Sequence, residues 1–338
     1  MSDSSPLWIK EADVVSLMDL DAAIGALENG LRAQAAGGAI NMSKTHASWA
    51  GGSTLHAIGA VYEADGIVGT KTWAHTEGGA TPLLILWDAN KGSLVAIIEA
   101  FALGQMRTAS VSAVATRWLA AEDADTFAVI GTGKQALAQV AAVAAVRPLK
   151  DVRIWGRNAE KRDAFVERVR DLGNDFRIST PETVNEAVDG AAIITTVTRA
   201  REPFLAADMI AAGTHINAVG AITGERQELA QDVFPRASLI AADDPGAVRR
   251  LSSELIHYLG EGGDWSLVKT LADLVAGKES KPALSDLTVF KSMGMGISDL
   301  ALGIEIRRRA FAAGLGNGID QPVRSKPRLG RAETIRSE

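Results

Sequence analysis

Five side chains in the first third of the chain could hold an anion or move a proton: Lys44, His46, Lys71, His75 and Arg107. Arg107 is the sharpest. The run LGQMRT reads as a helix start, where free N–H groups and the dipole favour an anion, and a guanidinium grips a carboxylate through two parallel bonds. The plainer alternative is an arginine paired with a surface acid. Lys71 follows Gly69 on an apolar run, so it is either a sheet-edge residue or an inward-facing cation; alternation leaves both open. His75 closes the same run and could donate a proton, although a histidine is often just a satisfied polar group. His46 and His56 are ten residues apart with no third ligand clustered nearby, so no metal site is expected.

A second constellation lies in TFAVIGTGKQALAQV, residues 126–140. A short apolar run stops at Gly131-Thr132-Gly133 and a helix-forming run begins at once. A strand, a tight turn and a helix N-terminus in this order set backbone N–H groups against a pyrophosphate. Gly131 permits the sharp turn, and Gly133 lets phosphates approach without a Cβ in the way. Ala136 stands where the third glycine usually falls and is still small. The triplet alone is common loop material; its context makes it a dinucleotide site. A polar tip, Gly156-Arg157-Asn158, falls after the next apolar run, about where a ribose contact is expected. Arg157 could bind a 2′-phosphate, or stack on adenine while Asn158 meets the ribose, so both NAD(H) and NADP(H) stay open.

The elements that must position these groups follow from periodicity. Residues 14–31 carry apolar positions at helical spacing, and Gly37-Gly38 ends that stretch. Residues 55–62 and 67–73 alternate as strands, and 82–87 and 93–99 flank a turn-rich loop suited to a hairpin. A helix is expected from Leu103-Gly104 to Ala121. Strands at 152–155, 176–178, 191–197, 214–219 and 238–242 then alternate with helices, including 158–172 capped by Asn158, one opening at 180–183 with Pro181 in its first turn, and one at 206–212. The strand at 238–242 is read as the last, with helices through Val275. Such alternation argues for an α/β protein with a parallel, doubly wound sheet, and the β-rich region before it is a separate domain, the break falling near 120–125. Thr196, Thr198 and the turn 217–220 sit at strand carboxyl ends, where a nicotinamide is expected, though both threonines also suit an ordinary strand. From Leu287 the chain turns glycine-rich, then helical, and could return to the first domain. The tail 319–338 is expected to be loosely ordered.

Bulk properties exclude several classes. The chain has 338 residues, 47% hydrophobic and 22% charged, as in ordinary globular proteins. A net charge of −6 gives no electrostatic reason to expect nucleic acid or an anionic membrane. There is no cysteine, hence no disulfide framework or thiolate metal site. The N-terminus lacks the pattern of a secretory signal, and no apolar run approaches a membrane span, so a soluble cytoplasmic protein is expected.

Four blocks in order carry a resemblance: KTW with Lys71, LGQMRTASVSA with Arg107, VIGTGKQA, and TVFKSMGMGISDL. Together, over roughly residues 12–318, they resemble the ornithine cyclodeaminase/mu-crystallin family. The resemblance implies a homodimer whose β-rich domain (1–119, with 287–318 returning to it) dimerises and binds substrate, and a Rossmann domain (120–286) that holds NAD(P)(H). It implies that Lys71 and Arg107 hold the substrate's α-carboxylate, with Lys44 where the family offers an arginine. The cofactor contacts it suggests are Thr108, Gly131, Thr132, Gly133, Lys134, Gln135, Arg157, Asn158, Thr196, Val197, Thr198, Val219, Gly220, Ser292 and Gly294.

One departure bears on activity. Cyclodeaminases of the family carry GAD where this chain reads Val219-Gly220-Ala221-Ile222. Isoleucine can neither accept a proton nor orient water, so cyclisation is disfavoured and the expected reaction is reduction of a C=N bond beside a carboxylate. Lys44, His46 and His75 provide more positive or protonatable groups than one carboxylate needs, which suits iminosuccinate. Cyclic ketimines (pyrroline- or piperideine-2-carboxylate) and amino-acid oxidation are the alternatives. A ligand-binding, crystallin-like protein without catalysis is a further one.

Overall fold

The computed structural model describes residues 5–283, 285–327 and 329. The first lobe is built on β1 (Leu7–Ile9), β2 (Ala39–Trp49), β3 (Ser53–Tyr62), β4 (Ile67–Thr76), β5 (Gly79–Ala80), β6 (Leu83–Asp88) and β7 (Leu94–Glu99). The sheet runs β1-β7-β6-β4-β3-β2, with β5 against the end of β4. Neighbours from β2 to β7 pair antiparallel, as the hairpin signals required, while β1 lies parallel to β7. Helices α1 (Glu11–Leu17), α2 (Leu20–Ala35) and α3 (Phe101–Leu119) belong to this lobe. The single helical stretch read near the N-terminus is thus two helices, and Asp19 caps the second by accepting from the Ala22 amide.

The sheet has two unlike faces because strand side chains alternate. In β4, Ile67, Gly69 and Lys71 are buried, while Val68, Thr70 and Thr72 are only half-buried. β2 changes face partway. Met42 pairs with Gly59 but Thr45 pairs with Ala57, so β2 carries one extra residue there. A bulge of this kind reverses the parity of every following side chain. Ile40 and Met42 therefore point outward with Thr45, Ala47 and Trp49, and His46 comes opposite His56 on the inner face.

The second lobe contains β8 (Thr126–Ile130), β9 (Asp151–Trp155), β10 (Arg177–Ser179), β11 (Ile193–Thr196), β12 (Thr214–Ala218), β13 (Ala237–Ala242), β14 (Val268–Thr270) and β15 (Leu287–Lys291). All pair in parallel, in the order β10-β9-β8-β11-β12-β15-β13-β14. The order reverses between β8 and β11, the switch point at which open α/β sheets bind ligands. Helices α4 (Ala136–Ala144), α5 (Ala159–Arg170), α6 (Val184–Val188), α7 (Pro245–Leu251), α8 (Ser253–Leu259) and α9 (Leu271–Val275) accompany it. Strand residues feed two separate cores, Phe127 and Val129 on one face and Ala128 and Ile130 on the other.

Helix α10 (Gly296–Ala313) and the short β16 (Asn317–Gly318), which pairs with β1, finish the described chain. α10 lies on the inner face of the first sheet, against β3, β4 and α2. A Cβ at Gly296 would strike the backbone of Gly59, so only glycine lets the helix start come this close.

Several expectations need correction. The strand at 238–242 is not the last: β14 and β15 follow, and β15 inserts between β12 and β13. Residues 287–291 therefore belong to the dinucleotide sheet, and the chain crosses to the first lobe only after them. Pro181 precedes its helix, which Thr183 caps, and 206–212 holds only a 3₁₀ turn, Ala207–Met209. In the tail, Gln321 is tied to the sheet, donating to the Leu94 carbonyl at 2.7 Å and accepting from its amide at 3.1 Å. Residues 328 and 330–338 of the tail expected to be loose lie outside the described residues.

Candidate active site

Lys71 points inward from β4 and is 4% exposed. Its Nζ donates to Asp299 Oδ1 at 2.5 Å, and Arg107 Nε lies 3.4 Å from the same oxygen. Asp299 sits in the first turn of α10, where the dipole favours a carboxylate. Arg107 is not in the first turn of its helix. α3 starts at Phe101 because the Glu11 carboxylate, ninety residues upstream, accepts the Phe101 and Ala102 amides at 3.1 and 2.6 Å. Arg107 is thus in the second turn, and its grip on an anion is its own rather than the helix terminus's.

Lys44 and Lys71 both lie over the Trp73 ring, at 5.9 and 5.4 Å from its centroid, within cation–π range. His56 stacks on Trp73 at 4.7 Å and His46 on His56 at 5.7 Å, so three strands contribute one continuous aromatic wall. His75 lies at the exposed end of β4, paired with Thr54; it is a rim residue. The Lys71 pKa falls to about 8: burial lowers it most, Asp299 opposes the fall, and Arg107 and Lys44 add to it. Lys44 is lowered chiefly by burial and then by Arg107. His56 falls to about 4, through desolvation first and then Lys44, His46 and His75, so it is neutral at pH 7.

The glycine turn lies at the carboxyl end of β8. Gly131 has φ +120°, and a Cβ there would come 2.8 Å from the Val197 carbonyl oxygen, so this glycine serves the fold. Gly133 has no heavy atom within 4 Å of its would-be Cβ. The space above it is open, and Gln135 Oε1 in the same turn is buried without a partner. An open glycine backbone leading into the N-terminus of α4 fits a diphosphate. Thr132 packs against Gly156, joining the turn to the tip where Arg157 is exposed. Lys134 is exposed in the turn. Asn158, next to Arg157, caps α5, its Oδ1 accepting from Lys161 N at 2.8 Å.

Other expected cofactor residues prove to be occupied by a buried acid. Glu228 accepts from Thr196 Oγ1 at 2.9 Å, Thr198 Oγ1 at 2.7 Å, and the amides of Thr198, Gly220 and Ala221 at 2.6, 2.9 and 3.2 Å. Thr196 is fully buried, and its hydroxyl staples the end of β11 to Glu228. Val197 and Val219 continue the ladder, bonding to Ile130 and Thr196. The Thr108 hydroxyl bonds back to Gly104 within α3. Ser292 and Gly294 are held by Asp243, which accepts from Ser292 Oγ and the Met293 and Gly294 amides at 3.1, 2.8 and 2.8 Å. Gly294, at φ +86°, leaves room for the Arg107 guanidinium, 3.2 Å from its would-be Cβ. The anion grip therefore touches the loop that leaves β15, at the carboxyl edge of the parallel sheet.

Sequence reading gave no role to Asp299, Glu228, Asp243, Glu254 or Lys291. The last two form a buried pair at 2.5 Å, and Glu254 also accepts the Glu228 and Leu229 amides. Their signal was a lone charge in an apolar run, as in VFKSMGMGISDL; the partners lie too far apart in sequence for spacing to join them. Among the described residues no group of His, Cys, Asp and Glu could hold a metal ion, and no helix is long and apolar enough to cross a membrane.

Comparison with known proteins gives the family. The family model for "Ornithine cyclodeaminase/mu-crystallin family" matches residues 6–313. The ketimine reductase mu-crystallin of Rattus norvegicus is 34% identical over 218 residues, which span 64% of this chain and 66% of that protein. The Thermococcus litoralis Δ1-pyrroline-2-carboxylate reductase, solved with NADH and L-proline, superposes with a TM-score of 0.85 at 26% identity, covering 93% of this chain and 100% of the other. The iminosuccinate reductase of Paracoccus denitrificans, solved with NAD+, gives 0.87 at 24% identity, covering 94% and 99%, a likeness of fold. The chain belongs to the ornithine cyclodeaminase/mu-crystallin family.

Proposed function

We propose that this protein is an NAD(P)H-dependent oxidoreductase that reduces the C=N bond of a small α-imino acid to give an amino acid. The observation that carries this reading is the buried Lys71 and half-buried Arg107 gathered on Asp299, with the guanidinium abutting Gly294 at the carboxyl edge of the dinucleotide sheet. In the turn that Gly131 shapes, the backbone of Thr132, Gly133 and Gln135 would hold the dinucleotide's phosphates. A reduced nicotinamide bound at this edge supplies the hydride. Arg107 and Lys71 bind the α-carboxylate and so fix the neighbouring C=N carbon; orientation of this kind can contribute about 7–11 kcal/mol. Ile222 has no proton to exchange, so the substrate nitrogen arrives already protonated.

Charge favours a dicarboxylic substrate. Lys44, Lys71 and Arg107 face a single carboxylate, Asp299, which leaves two positive charges for the substrate to match. Iminosuccinate, reduced to aspartate, is our first choice. The flat wall of Trp73 and His56 supports the second reading, a planar cyclic ketimine, in line with the pyrroline-2-carboxylate named for the Thermococcus relative. The resemblance and the outer face of the first sheet support a homodimer. Ile40, Met42, Trp49 and Leu55 lie exposed there, beside an open groove of about 280 Å³ reaching Val68 and Trp87, and apolar patches of this kind mark association surfaces. We place the enzyme in the cytoplasm, where reduced nicotinamide is at hand.

The test is a substrate panel: oxaloacetate with ammonia, pyrroline-2-carboxylate and piperideine-2-carboxylate, each with NADH and NADPH. The diacid reading expects fastest turnover with the first, and a Lys44→Met variant whose KM rises at least about tenfold for it alone. Turnover confined to the cyclic compounds would remove the diacid. Ligand binding without any oxidation of reduced nicotinamide would remove the enzyme.

A further inference from the structure

Asp299 is 1% exposed in a helix turn whose other residues, Gly296 to Ser298 and Leu300, are also buried. Burying a carboxylate there is costly, and an apolar side chain in place of such a pair is often at least as stable. The pairing is also incomplete. Asp299 Oδ2 and Arg107 Nε are both buried and without a hydrogen-bond partner, and the second is a donor that an incoming carboxylate can take up. We propose that Asp299 is a positioning residue of this site. One of its oxygens anchors the Lys71 ammonium and draws Arg107 beside it, so that both cations turn their remaining donors to the substrate carboxylate. The inference rests on the proposed function for the identity of that carboxylate.

The electrostatics support the geometry. The charged groups acting on Lys71 are Arg107 from α3, Lys44 from β2 and Asp299 from α10; His56 from β3, which shares the Trp73 wall with Lys71, is acted on by Lys44, by His46 from β2 and by His75 at the end of β4. All but Asp299 are cationic or protonatable. Asp299 is thus what keeps Lys71 charged against burial and two neighbouring cations, and without it the lysine would lose its proton nearer neutrality.

The test compares the parent with Asp299→Asn, which keeps the shape and removes the charge. Lys71 is titrated directly through the pH dependence of its reaction with an amine-reactive reagent, read by peptide mass spectrometry, a readout that needs no turnover. The proposal expects the Lys71 midpoint in Asp299→Asn to fall by at least about one unit. The alkaline limb of kcat/KM should move down with it, and NAD(P)H binding should stay within about threefold, as for a site in the other lobe. An unmoved midpoint overturns the proposal, whatever the substrate. A parent with no turnover of any imino acid overturns the functional reading and leaves the lysine titration to decide the role of Asp299. If Asp299→Asn does not fold, Asp299→Glu decides: the alkaline limb should stay near the parent's with KM raised at least threefold, and an unchanged KM contradicts positioning.

Discussion

The two glycines of the β8–α4 turn have different reasons to be glycine, and replacing each separates fold from ligand. At Gly131 an alanine would have to adopt φ +120° with its Cβ 2.8 Å from the Val197 carbonyl oxygen and 3.1 Å from its carbon. Backbone strain of about 1–3 kcal/mol and a similar overpacking cost put the expected destabilisation of Gly131→Ala at roughly 2–4 kcal/mol. At Gly133 no atom lies within 4 Å of a Cβ, and φ is not in the left-handed region. Gly133→Ala should therefore leave stability within about 1 kcal/mol of the parent. The methyl group nonetheless fills the space through which a diphosphate reaches the backbone. We expect Gly133→Ala to weaken NAD(P)H at least about tenfold, or roughly 1.4 kcal/mol, and Gly133→Val more. Urea unfolding measures the first quantity and nicotinamide fluorescence titration the second. Gly133→Val binding NADH and NADPH as the parent does would refute the assignment of this turn to the cofactor.

Other outcomes follow from the same structure. Lys71 titrates at about 8, so KM for the imino acid should be flat below that pH and rise above it as the cation is lost, in steady-state profiles taken at saturating cofactor. The stability effect has the opposite sign. Between about pH 8 and the unfolded lysine value near 10.4, the unfolded chain holds the extra proton, so this group's contribution to stability rises with pH across that window in urea titrations. Arg157→Asp should lower the NADPH-to-NADH ratio of kcat/KM at least about tenfold, since a carboxylate repels a 2′-phosphate; a rise in that ratio contradicts the role. Lys291→Met strands Glu254 in the interior and should cost about 3–5 kcal/mol in unfolding experiments, part of which Glu254→Gln restores in the double variant.

Local chemistry made much of this molecule readable. The strand, glycine turn and helix at 126–144 were legible because each signal lies within a few residues of the next. So were the hairpin of β6 and β7 and the Asn158 cap. What failed was decided over long distances. The start of α3 depends on Glu11, and the side on which Lys44 and His46 emerge depends on one extra residue in β2. β15 looked like the approach to a glycine-rich segment, since nothing local says that Leu287–Lys291 inserts between strands laid down some fifty and seventy residues earlier. Alternation could not choose a face for Lys71; Asp299, 228 residues away, is what holds the cation on the inner one. For the threonines at the strand ends a strand role and a cofactor contact both stayed open, and Glu228, which takes their hydroxyls, was not seen because it follows in a loop with no periodicity.

Rapid mixing of the NADPH-loaded protein with an α-imino acid, with reduced nicotinamide and amino-acid product both quantified, tests the central claim most directly. The account predicts one amino acid formed per NADPH consumed. It also predicts that Arg107→Met and Lys71→Met keep NADPH binding but lose at least about a hundredfold in rate, the scale of a misplaced substrate. A parent that leaves NADPH untouched with every α-imino acid, or that reacts as fast with either cation removed, contradicts it.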